Sequence, residues 1–205
     1  MEVESRFLLT PISQARLLDG AQLIEETKFT VEFLDTPQWT LAYSNRWLKR
    51  KNGKYELKIP LKNRGVDKTS HLATIFHEEN DTRKILAELD LPAEEFETAL
   101  TRALIKPFAS IETTRTSYQK GQFRLDLDQA QFPIIRNGAI FHYAVAEIEL
   151  DVPEDAVMQA KDDIINFAEQ HQLEVSDTRG KMMEYVFQNY PTVYQEFVKR
   201  GLISK

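Results

Sequence analysis

The feature that most constrains this chain is a set of short segments in which charged residues of one sign alternate with apolar residues. The chain opens with the segment MEVESRF. Successive side chains of an extended strand point to opposite faces, so Glu2, Glu4 and Arg6 would share one face. Such a face suits either solvent or the interior of a barrel that holds ions. Whether later strands carry matching charges decides between these alternatives.

Pairs of like charges recur at the two-residue spacing of one strand face. They are Glu2 and Glu4, Lys49 and Lys51, Asp126 and Asp128, and Glu147 and Glu149. The opposite face is apolar in segments such as KYELKIP at 54–60 and AVAEIEL at 144–150. For a single strand, a half-exposed antiparallel sheet explains the alternation. The repetition of like charges, which repel each other, favours charged faces turned towards a shared barrel interior.

Composition and charge exclude several functions. The chain has 205 residues, enough for one domain with a substantial core, and carries a net charge of −6. The acidic balance argues against a nucleic-acid surface, and the absence of cysteine excludes disulfides and thiolate chemistry. No apolar run is long enough to span a membrane, and the acidic N-terminus lacks the pattern of a signal peptide. We therefore expect a cytoplasmic monomer without nucleic-acid or membrane partners.

The periodicity predicts a single α+β domain over residues 1–205, an antiparallel β-structure with helices packed outside it. Strand patterns cover residues 2–9, 24–34, 40–51, 54–60, 71–78, 110–119, 122–128 and 139–150. Helical patterns cover residues 11–18, 80–90, 93–104, 154–170 and 181–202, with a break near Pro191. Asn52-Gly53 is a hairpin signal, and residues 61–70 have the composition of a mobile polar loop.

A charged interior is costly unless its groups are paired or occupied by ligands. Acidic clusters on the interior faces would need a hard cation with oxygen ligands, for which Mg²⁺ and Mn²⁺ are the natural candidates. Basic clusters would need a polyanion, which lysine and arginine side chains bind through short hydrogen bonds. A small-molecule triphosphate with its bound metal satisfies both requirements. The chain has no glycine-rich phosphate loop, so side chains would have to bind the phosphates.

Several motifs of this chain, in their order along it, resemble those of the CYTH proteins, which are also called triphosphate tunnel metalloenzymes. The opening E-x-E-x-R is similar to the family's E-x-E-x-K, and the segment LDTP at 34–37 is similar to its Y-D-T-P turn. The other similar positions are the strands WLKRK at 47–51, YELK at 55–58 and AEIE at 146–149, together with Arg115, Asp128 and Lys181. No single motif is specific, but their shared order makes the resemblance strong.

The resemblance implies a closed eight-stranded antiparallel β-barrel, the triphosphate tunnel, with helices packed outside. It also implies Mg²⁺-dependent hydrolysis at a terminal phosphate, or cyclisation in the cyclase branch of the family. The phosphates would be bound by Arg6, Lys49, Lys51, Lys58, Arg115 and Lys181. The metal would be bound by Glu2, Glu4, Asp128, Glu147 and Glu149. The catalytic residue that orients the attacking water would be a carboxylate such as Glu4, or Lys58.

Some features depart from the family's pattern. Arg6 stands where lysine is usual. Lys49 and Lys51 replace two arginines, which exchanges planar forks for point charges. Phe33 and Leu34 stand where tyrosine is common before the Asp-Thr-Pro turn. The stretch 131–142 is longer than its usual counterpart and is expected to cover a mouth of the tunnel.

Within the family the chain most resembles thiamine triphosphatases, in Trp47, in the segment DLDQAQF at 126–132 and in the Y-P-x-x-Y pattern of its tail. Trp47 shares a face with the two lysines of its strand, where its ring could stack on a cationic thiazolium. The alternative is that Trp47 only plugs the end of the barrel. The resemblance thus implies hydrolysis of thiamine triphosphate to thiamine diphosphate and phosphate. Inorganic triphosphatase, class IV adenylyl cyclase and non-catalytic binding of polyphosphate or nucleotide are the alternatives.

Overall fold

The computed structural model describes residues 2–60, 76–174 and 178–203, without the side chains of Glu2, Phe76 and Glu154. The predicted polar loop at 61–70 and the first part of the strand predicted over 71–78 lie outside these residues. Over the described residues, most of the predicted strands and helices are present, with bounds shifted by a few residues.

One antiparallel sheet forms the centre of the molecule. Its strands are β1 (Glu2–Leu8), β2 (Gln22–Asp35), β3 (Trp47–Lys51), β4 (Lys54–Pro60), β5 (Phe76–Glu79), β6 (Lys106–Lys120), β7 (Phe123–Pro133) and β8 (Ile140–Asp151). They follow the order β1-β8-β7-β6-β2-β3-β4-β5 across the sheet. The helices are α1 (Pro11–Leu18), α2 (Thr40–Tyr43), α3 (Thr82–Glu88), α4 (Phe96–Arg102), α5 (Val157–Gln170), α6 (Lys181–Asn189) and α7 (Pro191–Lys199). Each of these helices is too short or too polar to cross a membrane.

The sheet curls so that strands near its two ends face each other. Lys58 on β4 and Glu4 on β1 are far apart in the strand order but close enough in space for their charges to interact. Burial lowers the pKa of Lys58, and the charge of Glu4 raises it. Among the described residues, however, no ladder joins β5 to β1, so the eight-stranded sheet is a half-barrel with two edges. The prediction of a closed barrel is therefore wrong for the described part of the chain. The described β5 is only 4 residues long and pairs with β4.

Helices cover the convex face of the sheet, as the alternating pattern predicts. Val157, Ala160 and Ile164 recur at helical spacing on one side of α5. They lie in one buried cluster with Leu125 of β7 and Ile148 of β8. A second buried cluster joins α3 and α4 to the apolar side of β3 and β4. This face of the strands is therefore committed to the core, and the charged residues between them point to the other face.

The helices α6 and α7 lie on the opposite, concave face, which the prediction of helices packed outside did not include. Tyr185 of α6 packs edge-on against Phe132 of β7, with ring centroids 5.1 Å apart. Phe132 is four residues from Asp128 along β7 and therefore shares its face of the sheet. Phe197 of α7 packs on Trp47 of β3. The two helices thus fill one end of the concave face with apolar side chains and leave its charged end to form the site.

The strand predicted over 40–51 divides into α2 and β3. The buried Asp35 carboxylate accepts hydrogen bonds from the backbone N–H groups of Leu41 and Ala42 at 3.0 and 2.9 Å. These bonds satisfy donors in the first turn of α2, whose N-cap residue provides no side-chain hydrogen bond. Local bonds from one side chain therefore outweigh the strand propensity of this segment.

The stretch 131–142 belongs mostly to the β7–β8 hairpin. β7 continues to Pro133 and β8 begins at Ile140. The short connection between them contains Gly138 with a φ of 69°, a conformation that glycine adopts without strain. The two ends of this stretch, 131–133 and 140–142, thus pair with each other along the sheet, and only the connection between them is left as a candidate for the covering segment that the sequence led us to expect.

Candidate functional site

A connected network of ion pairs occupies the concave face of the sheet. At its centre, Arg115 of β6 donates from Nε to Asp128 Oδ1 at 2.7 Å and from Nη2 to Asp128 Oδ2 at 2.8 Å. This is the bidentate geometry that an arginine fork also offers to phosphate. The same guanidinium contacts Asp126 and Glu147. Burial opposes its charge, but these carboxylates hold the pKa of Arg115 above its usual value.

Two further cations meet the same acidic cluster. Lys181, at the start of α6, contacts Asp128 and donates from Nζ to Glu147 Oε1 at 3.0 Å. Arg6 of β1 donates from Nε to the same oxygen at 3.2 Å and also contacts a neighbouring carboxylate of its own strand. Burial alone would raise the pKa of Glu147, but these two cations and Arg115 hold it well below its usual value. Glu147 is therefore an ionised partner shared by three cations at neutral pH.

A second group of charges faces this cluster from β3, β4 and β5. Lys49 contacts Glu56, and Lys58 Nζ lies 2.8 Å from Glu78 Oε1. Burial alone would raise the pKa of Glu78, but Lys58 and Lys49 lower it. Burial has the opposite effect on Lys58, where the charges of Glu4 and Glu78 outweigh it and raise the pKa. Both members of the Lys58–Glu78 pair are therefore charged at neutral pH.

Lys51 lies beside this second group, with Nζ 3.7 Å from the centre of the Phe29 ring. Burial lowers the pKa of Lys51, and the charges of Arg115 and Lys49 lower it further. Lys51 therefore loses its proton more readily than an isolated lysine. An anion bound beside it would favour the protonated amine.

Carboxylates on β1 and β8 have the chemistry of a site for a hard metal ion. Glu4, Glu147 and Glu149 each offer one oxygen, and these oxygens lie within 4.8 Å of one another. Oxygen ligands of this kind and charge suit a divalent cation such as Mg²⁺. Of the other predicted metal ligands, Asp128 is fully buried among cations, and the side chain of Glu2 lies outside the described residues.

Trp47 does not present its ring to the charged part of the concave face. The residue is 8% exposed, and its ring packs at 86° to that of Phe197 with centroids 5.7 Å apart. Its indole Nε1 donates to Asn45 Oδ1 at 3.0 Å. The position corresponds to the alternative that the sequence left open, in which Trp47 plugs the end of the curled sheet.

The site contains charged residues to which the sequence assigned no role. They are Glu56, Glu78, Asp126 and Arg124. Strand alternation already places Asp126 beside Asp128 on one face, although no ligand role was assigned to it, and it could have identified Glu56, which shares a strand face with Lys58. Arg124, which donates from Nε to Asp126 Oδ1 at 3.0 Å, carries the same signal. Glu78 had no such signal, since its short strand carries no site motif that would reveal its place in the sheet.

Comparisons with known proteins agree with this geometry. Residues 1–180 match the CYTH domain. Human thiamine-triphosphatase is 27% identical over 210 residues, which cover 97% of this chain and 90% of the human protein. The thiamine-triphosphatase of Macaca fascicularis is 28% identical over 169 residues, which cover 78% of this chain and 72% of that protein.

A solved structure from Hippeastrum shares the fold. It is described as a putative adenylyl cyclase with a dominant triphosphatase activity, and it has a TM-score of 0.58 at 15% identity, with 92% of this chain and 97% of that chain covered. At this identity the match shows a common fold alone. The CYTH match, in contrast, extends over most of the chain and includes the strands that carry the site. This chain belongs to the CYTH family.

Proposed function

We propose that this protein is a metal-dependent hydrolase that removes the terminal phosphate of a triphosphate, with thiamine triphosphate as its first candidate substrate. The observation that carries the proposal is the convergence on one concave face of cations from β1, β3, β4, β6 and α6 with carboxylates from β1, β7 and β8. A triphosphate would replace the carboxylate partners of the cations, and its metal would neutralise the carboxylates that are released. Few other small ligands satisfy both charges of such a face.

The basic side chains would bind the phosphate oxygens and neutralise the charge that develops on the leaving diphosphate. The proposed phosphate ligands are Arg6, Lys49, Lys51, Lys58, Arg115 and Lys181. Glu4, Glu147 and Glu149 would hold the metal, which we propose to be Mg²⁺ or Mn²⁺. The metal would supply Lewis acidity at the phosphate oxygens.

Lys58 and Glu4 are the candidates for orienting the attacking water. Against the effect of burial, Glu4 and Glu78 raise the pKa of Lys58, so its amine stays protonated at neutral pH. It can therefore donate a hydrogen bond to the water or to a phosphate, but it cannot accept a proton. We propose that Glu4 accepts the hydrogen bond from the water and that Lys58 holds the terminal phosphate.

The substrate within this class is open to a second candidate, inorganic tripolyphosphate. The names of the human and macaque relatives support thiamine triphosphate. The burial of Trp47 against Phe197 favours tripolyphosphate, because the ring that could stack on the thiazolium is covered. A tripolyphosphate substrate needs only the cations and the metal.

The deciding experiment is a panel of thiamine triphosphate, tripolyphosphate and ATP, each assayed for released phosphate with Mg²⁺ and with Mn²⁺. Faster release from thiamine triphosphate supports the first substrate. Faster release from tripolyphosphate, with a ranking that Trp47→Phe leaves unchanged, supports the second. Cyclic AMP and pyrophosphate from ATP would instead identify a cyclase, and binding without turnover would identify a binding protein.

A test variant and a control variant accompany the panel. Arg115→Gln removes the guanidinium at the centre of the site and is expected to lower kcat about 100-fold or more, as for the loss of one donor to a developing anion. Arg102→Gln on α4 removes an arginine that is 66% exposed and pairs with Glu94 on the other face of the sheet. Its activity should match the wild type. Equal activity of both variants would contradict a role of the concave face in turnover.

A further inference from the structure

We infer that Tyr143 and Arg179 are positioning residues that fix residues 178–180, here called the turn before α6, and thereby direct Lys181 towards the bound anion. The inference rests on the proposed function, because it assigns Lys181 to phosphate binding. The CYTH match ends at residue 180, so this turn joins the matched domain to the two helices that follow it.

Tyr143 connects the turn to the strand that carries the site. It lies four residues before Glu147 on β8 and therefore on the same face of the sheet. Its hydroxyl donates to the backbone carbonyl oxygen of Arg179 at 2.6 Å. Burial and the charge of Glu184 raise the pKa of Tyr143 to about 12, so the hydroxyl remains a donor throughout the neutral range. The bond sets the distance between β8 and the start of α6.

Arg179 folds back along α6 and fixes the turn from its other side. Its Nε donates to Glu184 Oε2 at 2.6 Å, and its guanidinium carbon lies 4.0 Å from the centre of the Phe187 ring. Glu184 is 4% exposed, and its other carboxylate oxygen accepts a hydrogen bond from Gln188 Nε2 at 2.7 Å. A buried carboxylate whose two oxygens both accept hydrogen bonds is expected to hold its partner in one conformation. The backbone at residue 179 is thus held by the helix that it precedes.

Gly180 lies between the two anchors and is packed against the site. A Cβ atom at this position would lie 3.2 Å from Arg6 Nε and 3.4 Å from Arg6 Cζ. The carbonyl oxygen of Gly180 accepts the first helical bond, from the Glu184 N–H at 2.9 Å. The backbone therefore passes directly over a phosphate ligand of β1, and Lys181 follows at once as the first residue of α6.

A fixed backbone matters for Lys181 because a lysine side chain is flexible and carries its charge at one point. Lys181 Nζ reaches Glu147 and Asp128, the carboxylates that Arg115 also contacts. A fixed backbone limits the positions of Nζ, so less conformational entropy is lost when it binds an anion. Without the Tyr143 bond, the start of α6 would shift relative to β8, and Nζ would lose its alignment.

The test begins with Tyr143→Phe, which removes the hydroxyl and keeps the ring. We expect kcat/KM for the best triphosphate of the panel to fall about fivefold, the effect of one hydrogen bond. The matched control is Tyr185→Phe. Tyr185 lies on α6, the helix that follows the turn. Its hydroxyl donates to the Phe108 carbonyl oxygen at 3.0 Å, away from the turn. The control variant should keep the wild-type kcat/KM.

A double-mutant cycle separates positioning from a general loss of structure. If Tyr143 acts through Lys181, Tyr143→Phe should lower kcat/KM in the wild type but not in Lys181→Met. Arg179→Lys should keep more activity than Arg179→Met, because it retains a cation near Glu184. Two results would overturn the inference. One is an equal loss of kcat/KM in Tyr143→Phe and Tyr185→Phe. The other is that Tyr143→Phe lowers kcat/KM as much in the Lys181→Met background as it does in the wild type.

Failure of the proposed function gives a different result from failure of this inference. A wild-type protein that hydrolyses none of the triphosphates contradicts the function, and the same cycle is then run on the affinity for tripolyphosphate, measured by calorimetry. A weaker affinity in Tyr143→Phe that disappears in Lys181→Met still supports the positioning role. A wild type that neither hydrolyses nor binds tripolyphosphate overturns both, since Lys181 would then have no anion to meet.

Discussion

Lys51 shows how neighbouring charges tune one amine of the concave face. Burial lowers its pKa, Arg115 and Lys49 lower it further, and the charges of Asp128 and Glu56 oppose them. The folded protein therefore holds Lys51 in its charged form less firmly than the unfolded chain does. As pH rises, the amine therefore becomes neutral at a lower pH than an unperturbed lysine does, and the concave face loses one cation.

This shift predicts a pH dependence for anion binding. The affinity of the wild type for tripolyphosphate should fall as pH rises from neutral towards the ordinary lysine pKa of about 10.4, because burial and the charges of Arg115 and Lys49 lower the pKa of Lys51. Lys51→Arg keeps the charge at every pH used and should move this fall to higher pH. Calorimetric titrations across this range provide the measurement. Lys84→Arg, at a lysine of α3 that is 69% exposed, is the control and should leave the profile unchanged.

The ion pairs of Arg115 with three carboxylates lead to a separate prediction about stability. Its removal in Arg115→Gln leaves Asp126, Asp128 and Glu147 with less positive charge, and these carboxylates are nearly fully buried. Breaking a buried ion pair on one side costs about 3–5 kcal/mol, so the free energy of unfolding should fall by that order.

Chemical denaturation with and without Mg²⁺ measures this effect. Mg²⁺ should recover part of the loss in Arg115→Gln, because a cation among the carboxylates replaces part of the missing charge. Arg102→Gln serves again as the exposed control and should lose much less. A variant that is as stable as the wild type without Mg²⁺ would show that Arg115 contributes little to holding the carboxylates together.

The individual residues of the site could be identified from the sequence to the extent that strand alternation makes them visible. Arg6, Lys58 and Glu147 lie on the predicted face because a period of two fixes the face of every residue in a strand. The environment of Trp47 could not be identified in this way, because it depends on Phe197, which is distant in sequence. Alternation gives the face of a side chain but not the partner that covers it.

At the scale of elements, α7 closes the apolar end of the concave face through a single fully buried ring. Phe197 is 0% exposed and packs edge-on against Trp39 and Trp47, with centroids 6.3 and 5.7 Å away. The chain contains 2 tryptophans, so its intrinsic fluorescence reports directly on this contact.

Phe197→Ala should therefore lower the free energy of unfolding by about 3–5 kcal/mol, as for other large-to-small changes in a core. Its tryptophan emission should shift to longer wavelength, because water gains access to both rings. Phe187→Ala on α6 removes a ring that is 37% exposed and is the control. An unchanged emission spectrum in Phe197→Ala would show that α7 does not shield the tryptophans.

The helices also show which boundaries could be predicted from the sequence and which could not. Residues 11–18 form α1 as predicted, since Pro11 and the capping Thr10 act locally. The break at Pro191 separates α6 from α7 for the same reason. The helix α2 was missed, because its first turn is bonded by Asp35, which precedes the predicted strand. Signals inside a segment could be recognised, and those supplied from outside it could not.

At the scale of the whole molecule, the antiparallel β-structure could be predicted from alternating faces, but its closure could not. Alternation shows that one face of each strand is apolar and the other charged, and a half-barrel and a barrel share this property. Closure depends on ladder bonds between the two edge strands, β1 and β5, and among the described residues β5 pairs with β4 alone. The placement of α6 and α7 on the concave face depends similarly on contacts distant in sequence.

The balance of charges on the concave face predicts how its ligands act together. Mg²⁺ alone would neutralise the carboxylates and leave the cations without partners. Tripolyphosphate alone would satisfy the cations and leave the carboxylates facing each other. Each ligand therefore creates the charge that the other needs, so binding of one should strengthen binding of the other.

We accordingly expect Mg²⁺ and tripolyphosphate together to raise the Tm by more than the sum of their separate shifts. The measurement is thermal unfolding with each ligand alone and with both, at one ionic strength so that screening is constant. Glu147→Gln is the informative variant, because it removes a carboxylate that contacts Arg6, Arg115 and Lys181 and also belongs to the metal cluster. Coupling should weaken in this variant and persist in Arg102→Gln. Shifts that merely add in the wild type would mean that the metal and the anion bind to separate parts of the molecule, contrary to a shared concave site.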